Sequence, residues 1–99
     1  MKINISSVHF KADKRLEDFI TEKVQKLTTI YDGLLGSEVI LRLDNKETTD
    51  NKIAEIKLQI RGNDLFAKKQ SKSFEEAADS AVEALRKQLT KYKEKVKNI

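Results

Sequence analysis

The sequence predicts an α+β domain in which two helices cover one face of a single four-stranded mixed sheet, in the order β-α-β-β-β-α. Three observations carry this. Two long segments repeat apolar residues at steps of three and four, the period of a helix with one buried stripe. Residues 53 to 60 alternate apolar and polar side chains, the period of a strand with one dry face. Gly62-Asn63, a turn signal, follows at once and predicts an antiparallel return. Two single-striped helices and a half-dry strand require one helical layer over one sheet, and leave the second sheet face to water or a partner.

Each element follows in order. Ile3, Ile5, Val8 and Phe10 alternate with one break at Ser6-Ser7, predicting a first strand with an irregularity near its end. Asp13 is placed to cap a helix whose stripe is Leu16, Phe19, Ile20, Val24, Leu27 and Tyr31. Gly33 is expected to close that helix in a positive backbone angle. Val39, Leu41 and Leu43 form the second strand, and Asp44 to Lys52, with no apolar side chain, a flexible loop. Ala54, Ile56, Leu58 and Ile60 point one way along the third strand, while Glu55, Lys57, Gln59 and Arg61 point the other. Leu65-Phe66-Ala67 is a short antiparallel fourth strand trailing into Lys68-Lys69-Gln70. Ser73, with Glu76 three residues on, has the spacing of a capping box and starts the last helix. Its stripe runs Phe74, Ala78, Ala81, Val82, Leu85, Leu89, Tyr92 and Val96, small residues first, so the early turns approach their support more closely. A strand, crossover helix and next strand imply parallel pairing of the first two strands.

Composition narrows the function. Ninety-nine residues hold one core and predict a single domain over 1–99. No apolar run exceeds three residues, as in Val39 to Leu41, against the roughly 18 that span a bilayer, so no membrane association is expected. The N-terminus has no apolar stretch or small-residue cleavage site of a secretory signal, and a cytoplasmic location is expected. With no cysteine there are no disulfides, thiolate metal sites or thiol nucleophiles.

The chemistry of a catalyst is missing as well. His9 is the only histidine and stands at a strand end, without a nucleophile spaced to use it. Glu75 and Glu76 sit in a helix's first turn, where the dipole favours acids in any case. Asp44 to Asp50 scatters oxygens like a cation loop but has Lys46 in the way and neither the turn glycine nor the terminal glutamate. Three glycines form no phosphate-cradling pattern. The chain is read as no enzyme, with no cofactor and no small-molecule substrate.

Charge is what remains. Residues 1–64 hold eleven basic and eleven acidic side chains, residues 65–85 sum to −1, and residues 86–99 carry six basic residues against Glu94 alone, or +5. All of the net +4 is thus gathered at one end, a local field that attracts polyanions. With Leu85 at the centre of the buried stripe, Arg86, Lys93 and Lys97 fall on one flank, and Lys87, Lys91 and Lys95 on the outer and opposite side. Like charges at i, i+4 repel, and a sequence that carries them suggests an external anion that relieves the repulsion. Lys23 and Lys26 on the first helix extend the patch if the helices lie side by side. With few aromatics outside the core, recognition of RNA shape and backbone fits better than base stacking.

The order of elements, the opening Met1-Lys2-Ile3-Asn4-Ile5-Ser6, the stretch Glu22-Lys23-Val24-Gln25-Lys26-Leu27 and above all residues 77–93 resemble the ribosome hibernation promoting factor family, also called the ribosome-associated inhibitor A or sigma-54 modulation protein family. The resemblance covers essentially the whole chain. It implies a bacterial factor that binds the small ribosomal subunit and its rRNA in the channel used by mRNA and tRNA, inhibiting translation by steric occupation. By matching positions it gives rRNA contact to Lys23, Lys26, Lys87 and Lys91; charge geometry adds Arg86 and Lys93. Where the family usually carries basic residues this chain has Ala84 and Thr90, with Lys93, Lys95 and Lys97 supplying charge further along. The chain resembles the short form, without the domain through which long forms pair ribosomes, and the free protein is expected to be a monomer. Two other readings of the residues stay open: a general double-stranded-RNA-binding module, and a protein interaction domain acting on a transcription factor through the wet sheet face or an exposed edge strand.

Overall fold

A computed structural model describes residues 1–45 and 49–97, the side chain of Lys97 excepted. Strand β1 (Lys2–Ser7) pairs in parallel with β2 (Leu34–Leu43), Ile5 opposite Val39. Strand β3 (Lys52–Ile60) runs antiparallel to β2, Ile56 opposite Val39, and β4 (Leu65–Ser71) antiparallel to β3, Ala67 opposite Ile56. The sheet order is therefore β1-β2-β3-β4, a mixed sheet with one parallel pair as the crossover predicts. Helix α1 (Lys14–Gln25) and the long helix α2 (Phe74–Lys97) pack against each other, with α2 over β3 and β4 and α1 toward β1.

The dry face is the one the alternation marks. Val39 and Leu41 of β2, and Ala54, Ile56, Leu58 and Ile60 of β3, are buried with Ile20, Val24 and Leu27 and with Ala77, Ala78, Ala81, Leu85 and Leu89 of α2 in one cluster. Fully burying each large member contributes about 1.5–3 kcal/mol. Ser37 is the one polar residue buried among the described residues, and its hydroxyl donates to the Lys57 carbonyl at 3.0 Å. The opposite face is mixed, with exposed Ile40 and Phe66 among polar pairs: Arg42 pairs with Glu55 at 2.6 Å, Lys57 with Asp64 at 3.5 Å, and Asn4 donates to Glu38 at 3.3 Å. Ile53 turns to this side and is buried there, flanked by its register partners Arg42 and Gln70.

Both caps form. The Leu16 N–H donates to Asp13 Oδ1 at 2.8 Å, and the Glu76 N–H to Ser73 Oγ at 3.1 Å. Local features differ from expectation at several places. β1 stops at Ser7, and His9 takes a positive φ of 65°, so Phe10 leaves the sheet and stacks on Phe74 at 4.8 Å between centroids. The first helix does not reach Tyr31 as α-helix. It tightens into a 3-10 turn over Lys26–Thr29, where the Thr28 and Thr29 hydroxyls donate to the carbonyls of Gln25 and Lys26, each at 2.7 Å. Gly33 is not in a positive angle; it is needed because an added Cβ would lie 2.5 Å from the Tyr31 ring. β4 takes in the trailing Lys68-Lys69-Gln70 segment as regular strand and ends at Ser71.

The loop after β2 includes Lys46, Glu47 and Thr48, which lie outside the described residues, as does the side chain of Lys97 in the charge pattern. The loop's ends are tied: the Asp44 N–H donates to the Asn51 carbonyl at 2.8 Å, and Gln70 Nε2 donates to Asp44 Oδ2 at 3.0 Å and to the Asp50 carbonyl at 2.6 Å.

The β3–β4 turn is shifted by one residue from Gly62-Asn63. The Asn63 N–H donates to the Ile60 carbonyl at 3.0 Å with Gly62 at φ 83°, so Arg61 and Gly62 are the central pair of a type II turn. No atom lies within 4 Å of a Cβ built at Gly62, so Gly62→Ala meets only the backbone penalty. Urea unfolding is expected to show a loss of about 1 kcal/mol with an unchanged slope.

Candidate nucleic-acid interface

α1 and α2 lie alongside one another, and this brings Lys23 and Lys26 to one groove with Arg86. The groove is lined also by Asp79 and Glu83, two turns and one turn before Arg86 on the α1-facing flank of α2. Lys23 crosses between the helices: its Nζ stands 3.3 Å from Asp79 Oδ1 and 5.5 Å from the centre of the Phe19 ring. Lys26 pairs with Glu22 at 3.9 Å within α1. The Arg86 guanidinium grips Glu83 with two hydrogen bonds, Nη2 to Oε1 at 2.5 Å and Nε to Oε2 at 3.1 Å. That bond from Arg86 holds the Glu83 carboxyl below the usual carboxylate range against a smaller opposing effect of desolvation, and Glu83 in turn pushes the guanidinium up.

Lys87 is on the far side of Glu83. It lines a second depression with Lys69 of β4 and with Asp79, Ser80, Glu83 and Ala84. Lys91, one turn on, continues the exposed outer face, and Lys93 returns to the flank of Arg86 by helical phase. Among the described residues Lys87, Lys91 and Lys93 make no ion pair. α2 is pinned near this end by Tyr92, whose ring meets Tyr31 edge-on at 5.5 Å. Desolvation first, and then the neighbouring Tyr92, push the Tyr31 phenol up. Beyond Tyr92 the side chains of Lys93, Glu94, Lys95 and Val96 are exposed.

Of the six cations read from the sequence, the structure thus gathers Lys23, Lys26 and Arg86 in one groove, sets Lys87 and Lys91 on the adjoining outer face, and returns Lys93 to the Arg86 side. Lys69 is a member that sequence reasoning missed. The signal was available: Lys69 is two residues after the inward Ala67 and opposite the inward Ala54, so it must stand on the helix side of β4. The carboxylates were missed too, because Asp79 and Glu83 entered the sequence reading only in the charge sum of residues 65–85.

His9 is exposed, and no group of three or more His, Cys, Asp or Glu side chains able to hold a metal ion occurs among the described residues. No helix among them is long and apolar enough to cross a membrane.

Known proteins share this architecture. The solved N-terminal domain of Thermus thermophilus Protein Y superposes with a TM-score of 0.81 at 24% identity, covering 93% of this chain and 99% of that one. A ribosomal subunit interface protein from Coxiella burnetii gives a TM-score of 0.83 at 19% identity, covering 94% and 98%. In sequence, the chain is 29% identical over 99 residues to the ribosome hibernation promoting factor of Pseudomonas putida, covering 100% of this chain and 93% of the relative. It is 27% identical over 97 residues to the factor of the same name from Escherichia coli strain K12, covering 98% of each. Residues 3–97 match the family described as sigma 54 modulation protein / S30EA ribosomal protein, and with the match running through every strand and both helices, the chain belongs to that family.

Proposed function

We propose that this chain is a ribosome hibernation factor that binds the small ribosomal subunit in the channel taken by mRNA and tRNA, and inhibits translation by filling it. Association with the ribosome follows from the family. The observation that carries the finer reading is the surface of α2, where Arg86, Lys87, Lys91, Lys93 and Lys95 are presented beside Lys23 and Lys26 on a helix that runs out past its last aromatic anchor. Such a surface suits a phosphate backbone. Each phosphate neutralised releases counterions, so affinity is gained without any reaction or cofactor. The rest of the domain, a sheet with a continuous apolar core under two helices, is stiff enough to act as a plug.

Co-sedimentation of the purified chain with small subunits over a salt series tests this. Binding is expected at low salt and is expected to fall with a log-log slope of about −5 if all six cations engage phosphates. No co-sedimentation at any salt would overturn the proposal. A free A-form RNA duplex serves as competitor: equal competition would replace the reading by a general double-stranded-RNA module.

A further inference from the structure

The groove and the outer depression share two residues. Asp79 and Glu83 line both, i, i+4 on α2, and so form an acidic ridge between two basic clefts. On one side the ridge holds Lys23 at 3.3 Å and Arg86 in a double hydrogen bond. On the other it faces Lys87 and Lys69. Ion pairs as exposed as these give folding little. Both carboxylates are exposed, with side chains 61% and 51% accessible, and two like charges one turn apart weaken a helix by a few tenths of a kcal/mol.

Resting on the function proposed above, we infer that Asp79 and Glu83 are specificity-determining residues of the rRNA-binding surface, excluding polyanions whose phosphates do not fall in the two clefts separately. Inside the groove the cations Lys23, Lys26 and Arg86 stand against Asp79 and Glu83, so the ridge removes most of the charge with which the groove would attract RNA indiscriminately. A regular phosphate backbone laid across α2 must pass a phosphate over the ridge and meets two carboxylates. A folded target with phosphates on either side, and none over the ridge, avoids that repulsion and finds Arg86 already held in place by Glu83. Removing the ridge therefore helps the wrong ligand more than the right one, which is how repulsive elements confer selectivity.

The test is Asp79→Asn with Glu83→Gln, measured by equilibrium binding to small subunits and, separately, to a free A-form RNA duplex at one salt concentration. Duplex affinity is expected to rise about fivefold, from two exposed charge pairs of modest strength. Subunit affinity is expected to change less than twofold, because relief of repulsion is small there and the orientation of Arg86 is lost. The preference for the subunit thus falls. Each single variant is expected to show about half the effect on a logarithmic scale, which guards against a double variant that folds poorly. A wild-type preference for the subunit that survives unchanged in the variants would overturn this inference alone. A wild-type chain with no preference between subunit and duplex would overturn the proposed function itself.

Discussion

Replacing Lys87 and Lys91 together by glutamate is expected to weaken binding to the small subunit by about a hundredfold at moderate salt, while leaving the fold intact. Both side chains are exposed on the outer face of α2 and neither has an ion-pair partner among the described residues. No ion pair is lost, and the attraction of Lys87 for Glu83 is weak at an exposed site, so urea unfolding should show a change within about 1 kcal/mol. What is lost is a charge-assisted contact at each position, worth about 1.5 kcal/mol, and two such losses multiply to roughly a hundredfold in Kd. The salt slope is expected to fall by about 2 as two phosphates are released. A variant that unfolds would make these lysines structural, and a variant that binds unchanged would remove the outer face from the interface.

Leu85→Ala is expected to have the largest effect on stability, a loss of about 3 kcal/mol. Leu85 is 0% exposed at the middle of the α2 face that rests on β3 and β4. Alanine suits a helix better than leucine does, so the backbone offers no penalty and the whole loss comes from transfer and cavity terms. For a domain of this size that corresponds to a fall in Tm of roughly 15 °C. Circular dichroism melting reads it directly. A fall of only a few degrees would mean that the neighbouring Ala81 and Leu89 turns close over the gap, and that the core is less tightly packed than its burial indicates.

These two predictions separate the parts of the protein that were legible in the sequence from those that were not. Leu85 was assigned to the core by period alone, as were Ile56 and Leu58 by alternation, and all three are fully buried. Asp13 and Ser73 were recognisable as caps because a cap is a local arrangement, made by one side chain and the first turn that follows it. The misreadings were at places where a local rule met a distant neighbour. Gly33 looked like a helix stop with a left-handed angle, but it is glycine because the Tyr31 ring lies against its backbone, and that ring is itself held by Tyr92 more than sixty positions away. Phe10 fitted the strand alternation, yet stacking on Phe74 draws it off the sheet.

The same division runs through the candidate interface. That positive charge is concentrated in residues 86–99, and that Lys87 and Lys91 share a face while Arg86 lies to one side, follow from composition and a 100° step, so the sequence by itself determined them. Only the tertiary structure decided that Lys23 and Lys26 meet Arg86, that Lys69 joins Lys87 from another element, and that Asp79 and Glu83 stand between the two sets. Helical periodicity orders residues within one element and is silent about the rotation and offset with which two elements pack. Whether a carboxylate two turns away is a bystander or the partner of a lysine on another helix depends on that packing, because Coulombic and hydrogen-bonded contacts fall off within a few ångströms in water.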